Sequence, residues 1–433
     1  MAAQTVAAPH KGLTPAEAAE LAARTRYRVL GGLMVFLGIA SLWLFAPDLN
    51  PALKSTFGLN QGGVTVAVQL PDLVLPSLAT VIGLSVGSLA LGGYQLWRGF
   101  GRRSTMILGL AILFFIAAFL TWATADKSIS LAGMLKNSLL RAVPLTLGAL
   151  SGILSERAGV VNIAIEGMML SAALVGVVVG SATDSLVLGT VAAVLSGGLL
   201  AAAHGVLSIR YKVDQIISGV VINIFSVGIT SFLSAKFLQG AFSDLNNSGV
   251  AQTIPIPLLS RLPFIGGIFF ESNFFTYAMY FFLIVVHVAL FFTRWGLRTR
   301  AVGEHPKAAD TLGINVFRTR YIAVLLSGMM AGLAGAYFTL GSVGRFDEMM
   351  TAGRGFISLA AMIFGNWNPF GAFGASLIFG FADALQGRLA ILRVPIPSQF
   401  LLMAPYIATM IALAGLVGKA TPPAADGQPY EKS

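Results

Sequence analysis

A series of apolar runs, each long enough to cross a bilayer, constrains this chain more than any other feature. A spanning helix needs about 20 mostly apolar residues, because the hydrocarbon core is about 30 Å thick. Such runs cover residues 29–46, 73–97, 105–123, 133–153, 164–182, 185–208, 214–237, 275–293, 321–341 and 397–417. One more run is broken by Gly365-Asn366-Trp367-Asn368-Pro369 into pieces at 356–365 and 371–386. In lipid, backbone polar groups must be satisfied within the protein, so runs of this kind form helices. The expected fold class is an all-α polytopic membrane protein with about 10–12 transmembrane helices, two of the segments being interrupted.

Composition excludes an ordinary soluble globule. Only 11% of the 433 residues are charged, against about 25% in soluble domains. Cysteine is absent, which removes disulfides, thiolate nucleophiles and cysteine metal sites. The net charge of +10 would suit a nucleic-acid partner, but the loops give a simpler account. With the N-terminus inside, eighteen basic residues fall in inside loops, among them Arg98, Arg102, Arg103, Arg294, Arg298 and Arg300. Seven fall outside: Lys54, Lys127, Arg261, Arg345, Arg354, Arg388 and Arg393. Positive charge collects in cytoplasmic loops, so both termini are expected in the cytoplasm and no nucleic acid is required.

The chain divides into a tail with three additional spans (1–127), a denser core (128–418) and a polar tail (419–433) whose prolines predict disorder. Thr14-Pro15-Ala16-Glu17 reads as a helix start, giving a short interfacial helix or a frayed tail before the first span. That first run follows a long polar stretch with Glu17 and Glu20 and does not read as a cleavable signal peptide.

Enzyme chemistry has no foothold. His10, His204, His287 and His305 are scattered, and neither HExxH nor GxSxG occurs, so no catalytic residue and no metal site is predicted. His204 and His287 read as helix-packing hydrogen bonders. Gly418-Lys419 has half of a phosphate loop, but Leu413 stands where its first glycine belongs and Ala420 where its hydroxyl belongs. Any ATP hydrolysis therefore belongs to another subunit.

Two core segments share a pattern of apolar run, polar interruption and apolar run: LTLGALSGILSERAGVVNIAIEGMMLSAAL and ISLAAMIFGNWNPFGAFGASLIFGFADAL. Paired interruptions point to a transport pathway, although two tight cytoplasmic turns would look the same. Glu166 and Asp383 are acids at membrane depth, where a charge is costly. Asn162 lies four residues before Glu166 and would share a helix face with it, with Ser155-Glu156-Arg157 placed to cap that helix. Glu166 either sits at the inner mouth of the path or pins the broken segment by accepting loop amides. Asn223, Asn366, Trp367 and Asn368 are further candidates for the path or its support. For Asn223 a helix-packing bond, and for Trp367 an interfacial anchor, serves equally well.

The loop TRWGLRTRAVGEHPKAADTLGINVFRTR is the largest on the inside. Pro306 suits a first helical turn and Gly313 a left-handed stop, predicting a short helix over 306–312. Ala308 and Ala309 would let a soluble partner approach closely; a solvated connector is the plainer alternative.

GEHPKAADTLGIN, followed by LLSGMMAGLAGAY, resembles the cytoplasmic coupling loop of ATP-binding-cassette importer permeases of the ribose and branched-chain amino acid type. SERAGVVNIAIEGMMLSAAL resembles the signature of the nucleoside and simple-sugar subfamily, in its shorter permease subunit. The resemblance covers roughly 130–418; the three spans of 1–127 depart from it. It implies a multi-pass protein of the bacterial cytoplasmic membrane. Its partners would be an ATPase holding ATP and Mg²⁺, a second and nonidentical permease subunit, and an extracytoplasmic substrate-binding lipoprotein. By the same resemblance Gly303, Glu304, Ala308, Gly313 and Asn315 belong to the coupling element, and Asn162, Glu166 and Gly167 to the subfamily signature. The outside loop at 238–274, with Arg345, Asp347 and Glu348, is a candidate dock for the binding protein. The alternative is a proton-coupled secondary transporter using Glu166 or Asp383. Nucleosides, sugars and bases all remain open as substrates.

Overall fold

The computed structural model describes residues 15–61, 68–240, 242–392, 403 and 421–432. Two compact units result, Met1–Gly58 with Asp72–Ile129, and Leu59–Pro71 with Ser130–Ser433.

The first unit is built on α1 (Pro15–Phe45), α2 (Ser77–Trp97) and α3 (Ser104–Ala123). No Gly or Pro interrupts 16–30, so the polar stretch and the first span form one helix of 31 residues rather than a separate interfacial helix. Thr14 lies outside the described residues. Small residues let α1 and α2 approach closely: a Cβ on Gly92 would come within 2.7 Å of the Val35 backbone nitrogen, and Ser85 bonds Ser41 at 2.8 Å. Phe45 closes one end against Phe115, Phe119 and Trp122. Beside it, Lys54–Gly58 pairs antiparallel with Leu73–Pro76.

The second unit holds α4 (Leu131–Glu156), α5 (Ile165–Thr183), α6 (Leu186–Gly205), α7 (Gln215–Leu233), the single turn α8 (Ile265–Phe269) and α9 (Phe274–Phe292). It continues through α10 (Arg294–Glu304), α11 (Pro306–Thr311), α12 (Val316–Phe338), α13 (Arg354–Phe364) and α14 (Pro369–Ile391). α6, α7 and α12 each run on into a π-helical turn. Across both units, nine helices among the described residues are long and apolar enough to cross a membrane. The chain is a multi-pass, all-α membrane protein. The run at 397–417 lies almost wholly outside the described residues.

Burial sorts these helices. The apolar windows of α4 and α12 are 89% and 78% buried, that of α6 only 28%; α4 and α12 are central and α6 is peripheral. Glycines set the packing distance between α6 and α12. A Cβ on Gly197 would fall 2.3 Å from the Gly328 carbonyl, and one on Gly332 would fall 2.5 Å from that of Ala193. Gly328, Gly332 and Gly335 of LLSGMMAGLAGAY are therefore contact points between backbones. α13 has 11 residues, about 16 Å at 1.5 Å per residue, which is half a crossing. It starts from a loop that contains the fully buried Thr351, so the segment is part irregular backbone and part helix, running from the end where α12 stops toward the end where α4 stops.

Candidate functional site

The two interruptions that the sequence paired are in direct contact. The first is the irregular stretch between α4 and α5, and the second is Gly365–Asn368 between α13 and α14. Trp367 donates its indole Nε1–H to Glu156 Oε2 at 2.6 Å. Arg157 donates to the Trp367 carbonyl at 3.0 and 3.1 Å and to that of Asn366 at 3.4 Å. Trp367 is 5% exposed, so it is a buried bridge and not an interfacial anchor. Asn366 and Trp367 both adopt left-handed backbone (φ +53° and +51°), which costs L-residues about 1–2 kcal/mol each. The bonds from Arg157 hold them there. Asn368 caps α14 by accepting the amides of Phe370 and Gly371.

Irregular backbone inside a membrane survives only when its polar groups find partners. For the first interruption those partners come from neighbouring helices. Gln215 of α7 accepts the Val161 amide at 2.7 Å. The His204 ring of α6 bonds the Val161 carbonyl at 2.9 Å and Ser218 at 3.0 Å. Asn223 spans the stretch: its Nδ2 donates to the Ile163 carbonyl at 2.9 Å, and its Oδ1 accepts the Gly167 amide at 2.8 Å. Asn162 donates to Ser327 of α12 at 2.9 Å. Asn162 thus precedes α5 in non-helical backbone and does not share a helix face with Glu166. Likewise Ser155 and Glu156 are the last turn of α4, not a cap for α5. His287 stacks among Phe291, Phe292 and Phe370 instead of making a helix-packing hydrogen bond.

Glu166, in the first turn of α5 and 8% exposed, reaches a segment 185 residues away. Its Oε1 accepts the Thr351 hydroxyl at 2.6 Å and the Gly353 amide at 2.8 Å, and its Oε2 accepts the Gly355 amide at 2.5 Å. These donors open α13, so the carboxylate lies at that helix's positive end. Gly353 has a left-handed backbone (φ +77°), and a Cβ on Gly355 would lie 2.6 Å from the Glu166 backbone. The sequence flags Glu166 as a charge in need of partners; the Thr-Ala-Gly-Arg-Gly run at 351–355 is the only local sign of them.

Asp383 of α14 holds two arginines, Arg141 at 2.6 Å and Arg354 at 3.3 Å, the second of them lying between the Gly353 and Gly355 amides that Glu166 accepts. Both arginines line a cavity of about 600 Å³ with Lys136, Asn137, Glu271 and Asn273. That volume falls within the roughly 300–1,000 Å³ of small-molecule sites. The π-helical turn after α12 (Thr339–Val343) forms one wall, its Gly341 carbonyl accepting from Asn273 at 2.7 Å. Lys136, Asn137 and Arg141 carry no assignment from the sequence, whereas Glu271 and Asn273, within 238–274, and Asp347 belong to the candidate dock for the binding protein. A lone arginine in an apolar run, with an acid in another run, was the available signal. The cavity lies where α4 and α9 begin and α12 ends, at the opposite end of these helices from α10 and α11.

At that other end the predicted short helix is α11, with His305 capping it through Ala308 and Gly313 (φ +78°) beyond it. A Cβ on Gly303 would fall 2.3 Å from the Arg157 carbonyl, so α10 rests on the first interruption. Asn315 caps α12 through the Arg318 amide at 2.9 Å. Ala309 is buried, whereas Lys307, Ala308 and Leu312 are exposed, Leu312 by 82%. Arg157 lies beneath this loop, near Glu304. The terminal residues 421–432, expected to be disordered, instead dock here: Ala425 donates to the Gly303 carbonyl at 2.9 Å and Ala424 to Glu304 at 3.2 Å.

Residues 134–417 match the family described as "Branched-chain amino acid transport system / permease component". The chain is 42% identical to the guanosine ABC transporter permease protein NupQ of Bacillus subtilis, over 68% of this chain and 95% of that one. It is 42% identical to the nucleoside ABC transporter permease protein NupC of Lactococcus lactis, over 69% and 96%. It is 39% identical to the putative glucose ABC transporter permease protein TsgC13 of Haloferax volcanii, over 59% and 78%. A more distant match in Bacillus subtilis, the guanosine ABC transporter permease protein NupP, is 23% identical over 72% and 85%. No solved structure matches. The chain belongs to the family of branched-chain-amino-acid-type transport permeases, and it is a permease subunit of an ATP-binding-cassette transporter.

Proposed function

We propose that the chain imports nucleosides or related ribosyl compounds across the bacterial cytoplasmic membrane, as one of two nonidentical permease subunits. α10 and α11 face the cytoplasm, where a separate ATPase carrying ATP and Mg²⁺ grips the exposed side of α11. The cavity around Arg141 and Arg354 faces outward and receives solute from a substrate-binding lipoprotein. The observation that carries this reading is the seat of Gly303 on the Arg157 carbonyl: whatever moves α10 moves the first interruption. The nucleoside class rests on the two relatives at 42% identity, and the second subunit on there being two guanosine ABC transporter permease proteins, NupQ and NupP, in one organism. A proton-coupled transporter is the poorer reading, because Glu166 is filled by three donors and Asp383 by two arginines.

Competition of uptake in cells tests the substrate class. Unlabelled guanosine, adenosine and uridine are expected to suppress radiolabelled guanosine uptake, and glucose and ribose to leave it unchanged. Suppression by glucose alone would replace the nucleoside reading with a sugar one.

A further inference from the structure

The docked C-terminal segment has no part in the mechanism above, and its contacts are specific. Besides the bonds to Gly303 and Glu304, Thr421 donates its amide to Asn366 Oδ1 at 2.9 Å, reaching the second interruption. A Cβ on Gly159 (φ +79°) would lie 3.0 Å from the Ala425 carbonyl, so the segment also covers the first. Arg320, buried in the first turns of α12, donates to the Gln428 carbonyl at 2.9 Å. Asp426 packs near Glu156 and Arg320, and burial pushes its carboxyl pKa up. Tyr430 is 5% exposed in a cluster with Val302, Ala309 and Val316, its ring 5.3 Å from that of Phe317. Ordering a terminal segment costs conformational entropy, and a buried tyrosine with main-chain bonds on several elements offsets it.

We propose that residues 421–432 are a strap that fastens the α10–α11 loop to both helix interruptions and passes its displacement into the membrane core. Tyr430 is the positioning residue that seats the strap beneath α11. Without the strap, α10 would still touch the first interruption through Gly303 and reach Asn366 and Trp367 through Arg157, but the second tie, from Thr421 to the Asn366 side chain, would be lost. This rests on the reading of α11 as the element that an ATPase moves.

The test uses the complete transporter in proteoliposomes, measuring ATP hydrolysis and guanosine uptake together. Tyr430→Ala is expected to keep hydrolysis within about twofold while uptake per ATP falls about tenfold, a size typical of lost coupling between sites. Tyr430→Phe keeps the ring packing and loses only the hydroxyl's bond to Asp310 of α11, so it is expected to stay much nearer the wild type than Tyr430→Ala. Ala425→Pro removes one donor to Gly303 and is expected to act in the same direction, so the proposal stays testable if Tyr430→Ala does not fold. Hydrogen exchange on the permease alone gives an arm independent of the ATPase: Tyr430→Ala is expected to lose protection over 301–314 and to keep it in α4 and α5. Unchanged uptake per ATP, with unchanged protection over 301–314, would overturn the strap. A wild-type complex whose uptake ignores ATP would instead overturn the reading of α11.

Discussion

Ala308→Arg is expected to abolish uptake while leaving the protein folded, membrane-inserted and fully abundant. Ala308 is exposed on α11, on the side away from buried Ala309, so a larger side chain there has room among the described residues. A partner gripping that side would meet an added bulky cation. Forcing one into a close interface costs several kcal/mol, and about 3 kcal/mol already lowers occupancy roughly a hundredfold. Uptake should fall by at least about that factor, with unchanged solute binding by the extracellular component. Co-purification of the ATPase with the variant gives the second measurement, and it too should be lost. Undiminished uptake by an abundant variant would mean that no partner touches this face.

The second large effect is expected at Glu166. Glu166→Ala leaves the Thr351 hydroxyl and the Gly353 and Gly355 amides without their acceptor in a buried site. Hydrogen bonds to charged groups are worth about 1.5–3 kcal/mol each, and orphaned buried donors bear a further penalty. The losses overlap, since water or a small shift recovers part of them, so about 4 kcal/mol is expected in total. Glu166→Gln keeps one oxygen for Thr351 and Gly353 but turns an NH₂ toward the Gly355 amide, so it should fall between wild type and Ala. Thermal unfolding of the purified protein measures this: the order should be wild type, Gln, Ala. A residue that served solute instead would give the opposite pattern, with unchanged unfolding and altered selectivity.

Much of the fold was legible in local patterns, because lipid forces apolar stretches into helices. Pro306 and Gly313 bracketed α11 for the same local reason, one fixing φ and the other supplying a left-handed stop. The Gly365–Pro369 run announced a break that the structure places between α13 and α14. What stayed hidden is long-range partnership. Glu166 reads as a costly charge, but its donors lie at 351–355. Arg141 and Asp383 meet across 242 residues, and neither neighbourhood names the other. Helical spacing does not hold at Asn162, because the amides and carbonyls of that stretch bond to side chains of α6 and α7 and the Asn162 side chain bonds to α12. Trp367 has the composition of an interfacial anchor, yet Glu156 draws its indole inward. Proline-rich, polar 421–432 lacks an apolar face, and its docking depends on one tyrosine, on main-chain groups and on acids whose partners, such as Lys212 for Glu431, lie far away in the chain.

The most direct measurement of the central claim is solute uptake into proteoliposomes holding the purified permease subunits, with and without the ATPase and with ATP supplied on the α10–α11 side. Accumulation is expected only when the ATPase and hydrolysable ATP are both present. Uptake by the permease subunits alone, driven by a proton gradient, would contradict a handle moved by another protein's nucleotide cycle.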